Sequence, residues 1–143
     1  MKARITRLRD DVPLPKYETP GACCFDIACI EDATLTPGEI KDLPTGLVFC
    51  VPDGYMLLIA PRSSTPVKKG LTMPHGIGII DQDYCGPGDE LKLRVMNFTE
   101  AAVELRKGDR VCQAGFVRVD RCEWEEGAAA SETTRGGFGS TGK

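Results

Sequence analysis

Residues 47–60 read LVFCVPDGYMLLIA. One apolar run ends at Val51, the triplet Pro52-Asp53-Gly54 interrupts it, and a second apolar run starts at Tyr55. Both runs are too short for a stable helix and rich in residues that fit a pleated surface. The triplet is turn chemistry: proline presets φ, aspartate bonds its own backbone, and glycine accepts a positive φ. The stretch therefore predicts strand, turn, strand, with the reach of a hairpin. YMLLIA carries no charged side chain, reads as an apolar strand and is expected to be buried on both faces. The same punctuation recurs along the chain, where sixteen glycines and ten prolines in 143 residues leave little room for long helices. Short strands between turn signals predict an all-β sandwich or barrel.

The length fits one domain, 1–143, with a core over about 1–122 and a tail over about 123–143. A net charge of −3 argues against a nucleic-acid surface, which needs a basic face to displace counterions. A small anion held by a few local arginines stays open. Seven cysteines, including the adjacent Cys23 and Cys24, do not form the even framework of a secreted domain and read as reduced thiols. There is no CxxC, and His75 is the single histidine, so the chain lacks a zinc-type ligand set. Any metal is expected on oxygens. MKARITRLRDDVPLP has no apolar core of signal-peptide length, and no later run approaches a membrane span. The expectation is a soluble, cytoplasmic protein with neither nucleic acid nor membrane as partner.

Several stretches end strands in chemistry. In ACCFDIACI, Phe25, Ile27 and Cys29 alternate with Asp26 and Ala28, which turns Asp26 away from the core. YMLLIA delivers Pro61, Arg62, Ser63 and Ser64. A guanidinium fork with two hydroxyls suits a phosphate. A solvated turn with a serine N-cap for a short helix is the alternative. GIGIIDQDY, residues 76–84, looks like a buried β-branched strand running into Asp81, Gln82, Asp83 and Tyr84. On a continued strand Asp81 and Asp83 would share one face. Asp81 is then either a general base at the end of an arm or a solvated acid at a polar tip. RVCQAGFVRV places Gln113 among apolar residues, where its amide needs a backbone or ligand partner. From Glu123 the composition turns acidic, small and glycine-rich, which cannot build a core and reads as a mobile arm. GGFGSTG within it offers bare backbone N–H groups for phosphates and one aromatic, Phe138, for a flat ligand.

Taken together, PGACCFDI, APRSSTPVKKG, GIIDQDYCG, KGDRVCQAGF and RGGFGSTG resemble, in order and near-spacing, the five motifs of the homotrimeric deoxyuridine triphosphatases. The resemblance runs from about residue 20 to the C-terminus. It implies a jelly-roll-like β fold that assembles as a trimer, with active sites at subunit interfaces and each C-terminal arm crossing onto a neighbour. It implies hydrolysis of dUTP to dUMP and pyrophosphate, which limits uracil in DNA and supplies dUMP for thymidylate synthesis. Asp81 would deprotonate a water that attacks the α-phosphorus. Tyr84 would pack on the deoxyribose, and the hairpin around residues 75 to 80, with His75, Gly78 and Ile80, would read uracil largely through backbone groups. Arg62, Ser63, Ser64 and Gln113 would bind the triphosphate, and Asp26 would orient waters on a Mg2+ ion bridging its phosphates. In the arm, Phe138 would cover the uracil while Arg135, Gly139, Ser140 and Thr141 closed over the outer phosphates.

The chain departs from the family pattern in places. His75 stands where an asparagine is common, Cys24-Phe25 replaces a glycine-tyrosine, Ser64 replaces a glycine, and Pro87-Gly88 resembles an insertion. Arg135 lies three residues before the aromatic rather than five. The sibling dCTP deaminases share the fold and an Arg-Ser-Ser motif, but their catalytic glutamate corresponds to Arg94 here. A non-catalytic nucleotide sensor on the same scaffold is a rival of another class, and Asp81 weighs against it.

Overall fold

The computed structural model describes residues 1–137. Phe138, Gly139, Ser140 and Thr141, singled out above, lie outside the described residues. The elements run β1 (Arg4–Arg7), β2 (Phe25–Ala28), β3 (Ala33–Leu35), β4 (Ile40–Pro44), β5 (Leu47–Cys50), β6 (Tyr55–Pro61), α1 (Thr65–Lys69), β7 (Leu71–Thr72), β8 (Gly78–Ile80), β9 (Lys92–Asn97), β10 (Val103–Leu105) and β11 (Arg110–Arg118). The fold is the jelly-roll-like all-β arrangement. Its sheets are antiparallel, in the orders β2-β11-β6-β8, β4-β9-β7, β1-β5 and β10-β3.

The stretch 47–60 forms its turn but not a hairpin. Tyr55 N–H donates to the Pro52 carbonyl at 3.1 Å, and Gly54 takes φ of +74°. The flanking strands then part: β5 pairs with β1, and β6 lies between β11 and β8. A turn signal specifies a local reversal, not a pairing partner. Two consecutive strands that are both apolar can each present a face to one core by crossing between sheets. The Phe25 and Phe49 rings, one from β2 and one from β5, stack across that core at 5.9 Å and 19°.

Nor is β6 buried on both faces. Leu57 and Ile59 are fully in the core, whereas Met56, Leu58 and Ala60 are half-buried. β8 departs further from expectation. It has β6 as its single neighbour, so it is an edge strand, and Ile77 and Ile79 are exposed while Ile80 packs against the core. The strand ends at Ile80, and Asp81 to Asp83 enter a turn in which Tyr84 N–H reaches back to the Asp81 carbonyl. Strand alternation therefore does not relate Asp81 to Asp83.

Buried polar groups fasten the loops beside these strands. Asn97, wholly buried, donates to the Leu35 and Ala101 carbonyls and accepts from the Thr99 N–H and hydroxyl. Thr45 donates to the Leu91 carbonyl at 2.6 Å. Among the described residues no buried side-chain polar atom lacks a partner, which is what a specific interior requires. After β11 the residues from Asp120 to Gly137 form no strand or helix and are exposed, Trp124 almost completely.

Candidate active site

Two clusters carry the chemistry, and β6 connects them. The first forms at the far end of β6 from the β5–β6 turn. In register, Asp26 of β2 faces Gln113 of β11, which faces Ala60 of β6. Arg62 follows β6 directly and forms an ion pair with Asp26, its Nε 2.8 Å from Oδ1. Asp26 is half-buried between the buried Phe25 and Ile27. Gln113 finds its partner in the backbone, donating from Nε2 to the Pro61 carbonyl at 3.2 Å. Ser63 is exposed. Ser64 takes the N-cap position of α1 yet makes no side-chain capping bond, and Thr65 anchors the helix start by donating to the Val111 carbonyl at 2.7 Å. The helix thus forms, while the capping role for the serine hydroxyl does not.

Arg110 belongs to this cluster and was missed in the sequence. It contacts Asp26 Oδ2 at 3.0 Å and Glu18 Oε1 at 3.1 Å. Arg110 lies three residues before Gln113, so strict alternation puts the two on opposite faces. The pairing of β11 with β2 shifts register between Arg110 and Cys112, a bulge that returns Arg110 to the side of Asp26. Two buried residues in succession, Val111 and Cys112, are its mark, and the sequence signal is the unbroken apolar pair inside an alternating strand.

The second cluster surrounds β8. Met73 O accepts from Gly76 N–H, and His75 O from Ile77 N–H, both at 3.0 Å, which folds the segment into a tight loop with Gly76 at φ of +79°. Gly78 fits closely: a Cβ there would lie 3.3 Å from Ile59 Cβ, a tight contact, and 3.8 Å from His75 Nε2, an ordinary one. An open cleft of about 360 Å³ results, lined by His75, Gly78, Ile80 and Tyr84 with Ile59 and Met73 beneath. Asp42, Glu90, Lys92 and Arg94 complete its wall. The Tyr84 hydroxyl reaches the Glu90 carbonyl at 3.4 Å, and Gln82 ties the turn to β6 by donating to the Tyr55 carbonyl at 3.0 Å.

Asp81 stands exposed beside this cleft, and its carboxylate makes no hydrogen bond or ion pair with the described residues. Register sets the distance between the clusters. Asp81 follows Ile80, which pairs with Leu57, and Arg62 follows Pro61, so about 20 Å of β6 separates them. Arg135 is exposed and far along the tail, with no ion pair to either cluster.

Among the described residues no group of three or more His, Cys, Asp or Glu side chains could hold a metal ion. Each oxygen of Asp26 is already ion-paired with one guanidinium, which leaves room for hydrogen bonds from waters rather than for a direct metal bond. That donor set fits a Mg2+ ion that keeps its waters and arrives with phosphates.

The two clusters are what a nucleotide asks of a protein, an apolar-floored cleft for a flat base and a guanidinium and hydroxyl group for phosphate. The dUTPase family model matches residues 10–142. The chain is 41% identical over 145 residues to the deoxyuridine 5'-triphosphate nucleotidohydrolase of Nautilia profundicola, covering all of both chains. It is 39% identical to the enzyme of the same name from Thermobifida fusca, over 99% of this chain and 79% of that one. Among solved structures it is similar to the dUTPase from Streptococcus mutans, with a TM-score of 0.79 and 30% identity over 87% of this chain and 100% of that one. The chain belongs to the dUTPase family.

Proposed function

We propose that this protein hydrolyses dUTP to dUMP and pyrophosphate by water attack on the α-phosphorus, in sites that each draw on more than one subunit of a homotrimer. Family membership supports the reaction. One observation carries the assembly: Asp81 and Arg62 of a single chain are about 20 Å apart along β6. The α-phosphorus adjoins the deoxyribose, so the base that activates water and the groups that hold the phosphates must lie within a few ångströms of one another. One chain does not bring them together; the cleft of one subunit against the Asp26 cluster of another does. The exposed Ile77 and Ile79 beside the cleft give such a contact an apolar edge.

In that arrangement Asp81 takes the proton of the attacking water. Tyr84 packs against the deoxyribose, and backbone groups around Gly78 and Ile80 read the base. Arg62, Ser63, Ser64 and Gln113 hold phosphate oxygens, with Arg110 keeping Asp26 and Arg62 aligned. Phosphoryl transfer of this kind is mainly positioning and charge neutralisation. A Mg2+ ion bound with the triphosphate would add to that neutralisation, and Asp26 would accept hydrogen bonds from its waters. Residues 123–143 serve as the arm, Arg135, Phe138, Gly139, Ser140 and Thr141 closing over base and outer phosphates. Action in the cytoplasm belongs to the same reading; separately, no helix among the described residues is long and apolar enough to cross a membrane.

With magnesium present, the purified protein is expected to release pyrophosphate from dUTP and to leave UTP and dCTP largely untouched. Ammonia from dCTP would identify a deaminase instead, and no turnover of dUTP would leave the sensor reading standing.

His75 lies with its Nε2 close to Gly78 on the cleft wall, where an imidazole N–H can donate to a base carbonyl as an asparagine amide would. His75→Ala is expected to raise KM for dUTP by an amount equivalent to roughly 1 to 3 kcal/mol with less effect on kcat. His75→Asn should restore most of the loss. An unchanged KM in His75→Ala would mean that backbone groups alone read the base.

A further inference from the structure

We propose that Arg94, clamped by Asp42, is a base-reading residue that favours uracil over cytosine by donating to the oxygen at position 4. The proposal rests on the dUTP-hydrolysing reading above. β4 and β9 place Asp42 directly opposite Arg94. Arg94 donates from Nε to Asp42 Oδ1 and from Nη2 to Oδ2, both at 2.7 Å. A two-point fork of this kind fixes the plane of the guanidinium as well as its place.

The clamp is stable in charge. The hydrogen bonds from Arg94 hold the Asp42 carboxyl below its ordinary range against a smaller opposing effect of burial, and the charge of Arg94 and then of Lys92 adds to the lowering. The same bonds push the Arg94 guanidinium further up. Of the five N–H donors of a guanidinium, two are spent on Asp42, and the others have no partner among the described residues. An exposed ion pair on a sheet surface adds little to stability, which makes its place at a ligand cleft informative. This pair lines the cleft that holds His75, Gly78, Ile80 and Tyr84.

A guanidinium offers donors alone. Uracil presents an acceptor at position 4, and cytosine presents an amino group there. Facing uracil, the free N–H groups of Arg94 find the lone pairs of the oxygen; facing cytosine, donors meet donors, and a base seated over this otherwise exposed side chain would shut out the water that could serve them. Unpaired polar groups are how a site built for hydrogen bonding rejects an analogue. The apolar floor of Ile59 and Met73 accommodates the ring face of either base and does not discriminate.

The test compares wild type, Arg94→Ala, Arg94→Lys and Asp42→Asn on dUTP, dCTP and the deoxynucleoside triphosphate of 2-pyrimidinone, which lacks the 4-oxygen. Arg94→Ala is expected to raise KM for dUTP roughly tenfold with kcat nearly unchanged and to narrow the preference over dCTP by a similar factor. The 2-pyrimidinone substrate, already weak with wild type, should suffer no further loss. Arg94→Lys keeps the charge without the fork and should fall between, as should Asp42→Asn, which loosens the clamp; melting temperatures of all variants separate these effects from stability. An unchanged KM for dUTP in Arg94→Ala, or an equal penalty with and without the 4-oxygen, overturns the assignment. Failure of the wild type to turn over dUTP would instead overturn the reading beneath it.

Discussion

Asp81→Asn is expected to lower kcat for dUTP by about 10²- to 10⁴-fold while leaving the affinity for a non-hydrolysable dUTP analogue close to that of wild type. The reason lies in how differently the acids of this chain are engaged. Asp26, Asp42 and Asp109 each hold a guanidinium or ammonium within 3.0 Å. Each carboxylate is held in its ionised form by a paired cation, and a carboxylate so held is a poor proton acceptor. Asp81 sits at the end of an edge strand, exposed, beside the cleft and without a side-chain partner among the described residues. It can accept a proton from a water placed against it. Asparagine keeps the shape and one acceptor oxygen but cannot take up that proton, so binding survives and the chemical step does not. Asp83, in the following turn, is the control: Asp83→Asn should retain most activity. Normal turnover in Asp81→Asn together with a dead Asp83→Asn would move the base to Asp83.

What the sequence conveyed depended on how local each determinant is. Alternation around Asp26 is a two-residue pattern, and the structure follows it, with Phe25 and Ile27 buried and Asp26 turned outward. The turn at Pro52-Asp53-Gly54 is likewise encoded by its own residues and forms. The pairing across it is not local: whether β5 meets β6 or β1 depends on which faces the rest of the core must cover. The isoleucines of β8 do not distinguish a buried strand from the edge strand it is, because isoleucine fits both and only the number of neighbouring strands decides. Arg110 escaped notice because one extra residue in β11 reverses the face of everything before it. The separation of the two clusters had no signature at all. It follows from the length of β6 and the register on both its edges, quantities that exist only once the sheet is assembled.

Deleting residues 133–143 is expected to cut dUTP turnover on the order of 10²-fold, because under the proposed reading these residues close over the substrate and position it. The trimer itself should persist, since the core lies entirely before this segment and the described part of the tail buries nothing in it. Mixing these truncated subunits with Asp81→Asn subunits, under conditions that allow exchange, then separates two arrangements. If each site took its base and its arm from the same chain, neither parent could repair the other and the mixture would stay as inactive as its components. If base and arm come from different chains, a truncated subunit supplies Asp81 while an Asp81→Asn subunit supplies the arm. When equal amounts assemble at random, each mixed trimer holds one complete site, so about a quarter of all sites, homotrimers included, hold both. Both parents retain Arg62, Ser63, Ser64 and Gln113, so the phosphate cluster is never the missing part. Recovery of roughly that fraction of wild-type activity is the expected result. A mixture that stays dead although mass measurements show exchanged trimers would assign base and arm to one chain, and light scattering that finds a monomer would remove the shared site altogether.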